Sequence, residues 1–153
     1  MRRCFVVLFV LVTPFRVSAS EDDVGKELKA LQGKWKAVSL EVGGRPLPKN
    51  AVPDFTFIVG VGGKSTGKMS DSEYESLISV DPKKNPKTID NAHKTGAQKG
   101  KKQYGIYKLE KDKWIVCMTA PGAAVKDRPK SFDTKDSVGV VFIFERIKED
   151  KKP

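Results

Sequence analysis

Short runs with apolar side chains at every second position constrain the fold of this chain more than any other feature. Residues 55–61 and 74–80 alternate cleanly between apolar and polar, which is the period of a half-buried β-strand. Residues 104–118 predict a hairpin of two apolar strands around a charged turn, and residues 138–146 are apolar on both faces, as in a central or covered strand. About eight such segments predict an all-β fold, an antiparallel β-barrel of lipocalin size.

The segment before the first strand indicates one short helix. Residues 21–31 begin with acids and then carry Val24, Leu28 and Leu31 at helical spacing. Gly33 follows and can end the helix. In the strand that begins near Trp35, the apolar residues change from odd-numbered to even-numbered positions. This change predicts a β-bulge, which bends a barrel strand.

The N-terminus has the pattern of an export signal. Arg2 and Arg3 precede the apolar run 5–12, and Val17-Ser-Ala19 supplies the small residues of a cleavage site. The apolar run is shorter than the ~20 residues that span a bilayer, so we expect cleavage near Ala19 and no transmembrane segment. The expected organisation is a signal peptide at 1–19, one barrel domain at 20–147 and a basic disordered tail at 148–153. The expected location is periplasmic or extracellular.

Net charge limits the classes of partner, and the cysteine count limits the disulfides that can form. Removing residues 1–19 subtracts three positive charges from the formal +10 and leaves +7, carried by dispersed lysines. This pattern fits a solvated surface or attraction to an anionic polymer, and no nucleic-acid-binding motif is visible. Cys117 is the only cysteine after cleavage, so we expect no internal disulfide and a fold stabilised by burial.

A set of motifs in a fixed order carries a resemblance to a known family. The motifs are Leu-Gln-Gly-Lys-Trp (31–35), Gly-Gly-Arg-Pro (43–46), Asp-Pro-Lys-Lys-Asn-Pro-Lys-Thr-Ile-Asp (81–90), Gly-Ile-Tyr-Lys-Leu (105–109), Trp-Ile-Val-Cys (114–117), Arg-Pro-Lys-Ser-Phe (128–132) and Glu-Arg (145–146). Over residues 23–147, the chain resembles the uncharacterised lipocalin-like domain family of exported planctomycete-type bacterial proteins. The resemblance implies a lipocalin-like barrel and no particular activity.

Lipocalins more broadly carry a Gly-x-Trp motif at the first strand and a basic residue late in the last strand. Gly33, Trp35 and Arg146 match these places, so the resemblance implies a structural latch between the two ends of the chain. In it, the guanidinium lies over the indole and bonds the open carbonyls at the helix end.

Residues for catalysis or metal binding are scarce. His93 is the only histidine, and its polar surroundings predict a solvated loop residue with no catalytic role. With one histidine and one mature cysteine, no zinc set is available, and we expect neither a metal nor another cofactor. For Cys117 the prediction is a buried, inert thiol. The alternative is a thiol that faces the barrel cavity and supports enzymatic chemistry.

Aromatic side chains on the predicted strands either fill the barrel or line a small cavity. The leading hypothesis is a non-enzymatic binding domain for a small apolar or amphipathic ligand. A second hypothesis is a filled barrel that binds an anionic envelope component or a partner protein through its lysines, and a third is a cavity enzyme that uses Cys117. The candidate ligand-binding residues are Phe55, Phe57, Tyr104, Tyr107, Trp114 and Phe142.

Overall fold

The computed structural model describes residues 19–135 and 139–148 of the chain. The predicted signal peptide, apart from its last residue, and the predicted tail beyond Lys148 lie outside these residues.

One helix, α1 (Ala19–Leu31), precedes the sheet. Its apolar residues face the barrel: Leu31 is fully buried, and Val24 and Leu28 pack against the same core. The helix therefore covers one end of the barrel, as the spacing of these three residues predicts.

Nine strands follow the helix. They are β1 (Gly33–Val42), β2 (Arg45–Pro46), β3 (Phe55–Val59), β4 (Lys64–Met69), β5 (Ser72–Asp81), β6 (Lys87–His93), β7 (Lys102–Glu110), β8 (Lys113–Met118) and β9 (Val140–Ile147). Single 3-10 turns lie at Lys49–Ala51, Val61–Gly63 and Val125–Asp127.

Eight of these strands close into an antiparallel barrel. From β3 to β9 each strand pairs with the next, β1 pairs with β3, and β9 returns to pair with β1. The two-residue β2 pairs only with the end of β1. The predicted fold class, an antiparallel eight-stranded barrel with a short N-terminal helix, is confirmed.

The seam between β1 and β9 extends from the Lys34–Ile147 pair to the Val42–Val140 pair. Its register shifts between Ala37 and Ser39. This shift is the bulge that the change of apolar face predicts, and it lets one strand contribute to both halves of the barrel.

The interior differs between the two ends of the barrel. At the closed end, where α1 packs, Leu31, Trp35 and Tyr107 are buried to within 1% of their surface and fill the space between the strands. At the open end, the β4–β5 turn, the β6–β7 connection and residues 120–122 surround the interior.

A second apolar layer lies outside the barrel. Ile106, Cys117 and Val141 form a cluster on the outer face of β7, β8 and β9, with Phe132 packed against it. Residues 120–135, which we call the strap, contribute Phe132 and therefore cover this face. Arg128 of the strap donates to the carbonyls of Ile89 and Gly105, at 3.1 and 2.8 Å.

Candidate ligand-binding cavity

A cavity of about 560 Å³ occupies the open half of the barrel. This volume is in the range of small-molecule sites, roughly 300–1,000 Å³. Residues of β3 to β9 line it, while Met69, Ser72, Glu73, Gly96, Ala97, Gln98 and Pro121 surround its mouth. The interior of the barrel is thus not filled along its whole length, which corrects the premise of the filled-barrel hypothesis.

One side of the cavity is an aromatic wall built by β3, β8 and β9. Phe55 lies edge-on to Phe142 and Phe144, with ring centroids 5.7 and 5.5 Å apart. Trp114 is 5.8 Å from Phe57 and 5.5 Å from Phe144. Interlocked rings of this kind have few alternative rotamers, so the wall presents a fixed apolar surface.

Trp35 supports this wall from the closed end. Its ring centroid is 5.6 Å from that of Trp114, and the side chain is fully buried. Trp35 does not line the cavity, so the contact between the two indoles forms the floor.

The opposite side of the cavity is polar. The Gln103 side-chain amide donates to the Thr119 carbonyl at 2.9 Å. A carbonyl oxygen only accepts, so this bond fixes the amide with its NH₂ group toward Thr119. The Gln103 Oε1 atom lies 2.8 Å from His93 Nε2 and accepts from it. In neutral His93 the proton is therefore on Nε2, and Nδ1 carries a lone pair.

Four buried polar atoms of cavity-lining residues have no hydrogen-bond partner among the described residues. They are Asn91 Oδ1, His93 Nδ1, Gln98 Oε1 and Trp114 Nε1. Most buried polar groups in proteins are paired, so four unpaired ones around one cavity mark a place where a further molecule can bond.

Charge around the cavity is sparse. Among the described residues that line it, Glu73, exposed at the mouth, is the only Asp, Glu, Lys or Arg. Lys94, Lys99, Lys101 and Lys102 are exposed on and beside the β6–β7 connection and do not line the cavity.

The predicted ligand-binding residues divide into two groups. Phe55, Phe57, Trp114 and Phe142 line the cavity, and Tyr104 and Tyr107 do not. Tyr104 lies on the outer face of β7, where the Arg128 guanidinium is 5.4 Å from its ring centroid. Tyr107 points inward but belongs to the packed core at the closed end, where burial raises its pKa. Neither tyrosine therefore lies among the described residues that line the cavity.

The polar side of the cavity was missed. His93 was predicted to be a solvated loop residue, and this was wrong: β6 extends to residue 93, and His93 is only 5% exposed. Its ring lies 5.0 Å from that of Tyr74. Ile89, Asn91 and His93 do alternate as a strand, but two of the three are polar, so an apolar pattern could not reveal them.

Cys117 lies on the other side of the sheet from the cavity. It is fully buried beneath the strap, and its neighbours on β8, Val116 and Met118, are the residues that face inward. Burial raises the pKa of the Cys117 thiol from 9.0 to about 11, with a smaller effect of Glu41. The alternative in which this thiol faces the cavity is wrong.

The proposed latch residues meet at the closed end. The Arg146 guanidinium lies 4.1 Å from the Trp35 ring centroid and donates to the carbonyls of Gln32 and Ala30. Trp35 Nε1 donates to the Leu31 carbonyl at 2.8 Å. Gly33 has a φ of 126°, which strains any other residue, and a Cβ atom there would lie 2.7 Å from Arg146 Nη1 and displace the guanidinium from the latch. Three carbonyls at the end of α1 are thereby bonded.

The fold and the cavity together define a closed antiparallel β-barrel with a pocket that opens at one end. No family model, curated protein or solved structure matches the chain. Within the described ranges, no helix combines the length and the apolar character needed to cross a bilayer. The same residues contain no group of three or more His, Cys, Asp or Glu side chains placed to hold a metal ion.

Proposed function

We propose that this chain is an exported, lipocalin-like binding domain that takes a small apolar or amphipathic ligand into its cavity without chemical conversion. The observation that carries the proposal is the cavity of about 560 Å³ with an aromatic wall on one side. Burial of apolar surface contributes about 25 cal/mol per Å², so an apolar molecule gains most of its affinity from that wall.

The polar residues of the cavity support binding better than catalysis. The Gln103 amide oxygen holds His93 Nε2 as the orienting group of a histidine base would, but Nδ1 has no partner among the described residues and so is bonded to no serine, threonine or cysteine nucleophile there. Cys117, the one thiol among the described residues, is on the outer face under the strap. A bound ligand therefore meets hydrogen-bonding groups and no activated nucleophile.

Export and family membership are part of the proposal and rest on the sequence. The arginine-flanked apolar segment and the small residues at 17–19 support a cleaved signal. The ordered motifs between residues 31 and 146 support membership of the planctomycete-type lipocalin-like family.

A second candidate function is contact with an anionic envelope component through the β6–β7 connection. Residues 94–102 carry four exposed lysines and no acid, close to the mouth of the cavity. Such a patch attracts polyanions in a salt-dependent manner. Retention on an anionic polymer that decreases with added salt supports this contact, and equal retention after substitution of all four lysines by glutamine excludes it.

The binding proposal is tested with the protein lacking residues 1–19 and the fluorescent apolar probe N-phenyl-1-naphthylamine. We expect saturable binding to one site and an increase in probe fluorescence. Ala97→Trp places a large ring at the mouth and should weaken binding at least about tenfold, a change of ~1.4 kcal/mol.

Ala124→Trp is the matched control, because Ala124 is equally an exposed loop alanine but does not line the cavity. Equal affinity of the two variants, or no saturable binding by the unsubstituted protein, would refute the cavity as the binding site. Native mass spectrometry of protein purified from its own envelope then identifies a ligand that copurifies.

A further inference from the structure

We propose that the ligand of this cavity carries an uncharged hydrogen-bond donor, a hydroxyl group in the simplest case, which donates to His93 Nδ1 and the neighbouring acceptors of β6. The inference rests on the proposed binding function and adds the chemical class of the ligand's polar group.

The first support is the hydrogen-bond sequence that ends at His93. The Thr119 carbonyl fixes the Gln103 amide, and Gln103 Oε1 in turn takes the Nε2 proton of His93. The remaining ring nitrogen, Nδ1, is then an acceptor that is buried and has no partner among the described residues. The ring cannot rotate to satisfy Nδ1 without breaking the bond to Gln103. Only a donor from outside the described chain satisfies this atom while the rest of the network is kept.

The second support is the identity of the other unpaired atoms. Asn91 Oδ1 and Gln98 Oε1 are also acceptors without a partner in the described chain. Asn91 and His93 are two residues apart on β6 and face inward together, at 7% and 5% exposure. Among these four cavity atoms Trp114 Nε1 is the single donor, and it belongs to the aromatic side. The unpaired atoms of the polar side are therefore acceptors, which a donor on the ligand can satisfy.

The third support is the shortage of positive charge. No Lys or Arg of the described residues lines the cavity, and Glu73 lies at the mouth. A carboxylate has only acceptor atoms, so it would leave His93 Nδ1 unpaired and lose its hydration without a counter-charge. A neutral ester has the same deficit of donors without the charge. A neutral alcohol matches the site in both respects.

The position of the acceptors gives the ligand an orientation. In the closed order of strands, β6 is four strands away from β1 in either direction and thus lies across the barrel from the β1–β9 seam. The aromatic wall of β3, β8 and β9 flanks that seam. An alcohol therefore directs its hydroxyl toward β6 and its hydrocarbon part toward the rings.

The test compares three molecules with the same ten-carbon chain as competitors of N-phenyl-1-naphthylamine at pH 8. Decanol is a neutral donor, methyl decanoate is neutral without a donor, and decanoate is an anion without a donor. We expect decanol to displace the probe at a concentration at least about tenfold lower than either of the others, since leaving a buried acceptor unpaired costs about that factor.

Two variants localise the effect. His93→Phe keeps a ring against Tyr74 and removes Nδ1, and Asn91→Leu replaces the amide by an apolar group of similar size. Each should reduce the preference for decanol over methyl decanoate by about fivefold while the probe still binds. Asn50→Leu is the control, because Asn50 is exposed in the Lys49–Ala51 turn and should retain the full preference.

The outcomes separate this inference from the binding proposal. Equal displacement by all three molecules, or strongest displacement by decanoate, overturns the donor class but leaves the cavity as a binding site. An unchanged preference in both variants overturns the assignment to β6. If the probe and all three competitors fail to bind the unsubstituted protein, the binding function itself is refuted.

Discussion

Replacing Arg146 is the sharpest test of how this barrel closes. Its guanidinium joins the last strand to the end of α1 through the Gln32 and Ala30 carbonyls, and it covers the Trp35 ring. Arg146→Met keeps a side chain of similar length against the indole and removes the charge and all donors. Arg146→Lys keeps the charge but loses the planar fork that reaches two carbonyls at once.

The magnitude follows from these contacts. A hydrogen bond from a charged group contributes about 1.5–3 kcal/mol. The lower value applies to each of the two Arg146 bonds, because the Arg146 side chain is 24% exposed and water can partly replace these bonds. The two bonds therefore contribute about 3 kcal/mol together. The cation–π contact is worth about 1 kcal/mol, and the thioether of a methionine over the same ring replaces most of it. We therefore expect Arg146→Met to lower the free energy of unfolding by about 3 kcal/mol, and Arg146→Lys by about half as much.

The assay is urea unfolding followed by far-UV circular dichroism, with thermal unfolding as a second measure. A loss of about 3 kcal/mol corresponds to a decrease in Tm of about 10 °C for a domain of this size. Lys148→Met is the matched control: Lys148 pairs with Asp112 at 3.0 Å, as Arg146 does at 3.5 Å, but the Lys148 side chain is 76% exposed. Exposed pairs contribute ~0–1 kcal/mol. The latch is refuted if Arg146→Met is no less stable than Lys148→Met.

Two further predictions concern the strap and the thiol beneath it. Cys117 should resist a thiol reagent in the folded protein. Arg128→Gln should raise the rate at which Cys117 reacts at least about tenfold, because it releases the strap from the Ile89 and Gly105 carbonyls. Lys126→Gln, at an exposed strap residue, should leave this rate unchanged. Equal rates in the two variants would show that Arg128 does not hold the strap. The second prediction uses pH. Because the pKa of this thiol is raised from 9.0 to about 11, its contribution to stability is complete below pH 9 and is lost as pH rises toward 11. Between pH 9 and pH 11, the free energy of unfolding of Cys117→Ala, measured with urea, should therefore fall less than that of the unsubstituted protein. The two decreases should differ by up to about 3 kcal/mol, and equal decreases would contradict the raised pKa of the thiol.

The fold could be predicted because burial and alternation coincide on most strands. In β3, Phe55, Phe57 and Val59 are buried and Ile58 is exposed, so the sequence period matches the two faces. The bulge in β1 was visible for the same reason, since a shift in register moves the apolar residues to the other parity.

The strand β7 was predicted, but the facing of its side chains was not, because the middle of the strand is buried on both faces. Ile106 is covered by the outer apolar layer and Tyr107 by the closed-end core, and both are 1% exposed. Where both faces are covered, apolar residues follow one another without alternation, so the sequence does not show which face is inside. Tyr104 was assigned to the cavity for this reason, although Arg128 of the strap covers it outside.

The polar residues of the cavity could not be predicted because they are buried without being apolar. Asn91 and His93 are buried although they are polar, and only the three-dimensional contact with Gln103, which is itself bonded to Thr119, explains how His93 Nε2 is paired. In a sequence pattern, a polar residue is interpreted as exposed, because burying a polar group is costly on average. Such a pattern cannot report a network whose members are separated by up to 26 residues, from His93 to Thr119.

The separation of the latch from the polar wall leads to a last physical point. Arg146, Trp35 and the end of α1 stabilise the seam and the floor, while the acceptors lie across the barrel on β6. Residues this far apart, without shared partners, should contribute additively to the free energies of folding and binding. Trp114 contacts Trp35 on one side and lines the cavity beside Phe144 on the other. Coupling between barrel closure and ligand affinity is therefore expected at the Trp35–Trp114 contact, and it should leave the preference for a hydrogen-bond donor unchanged.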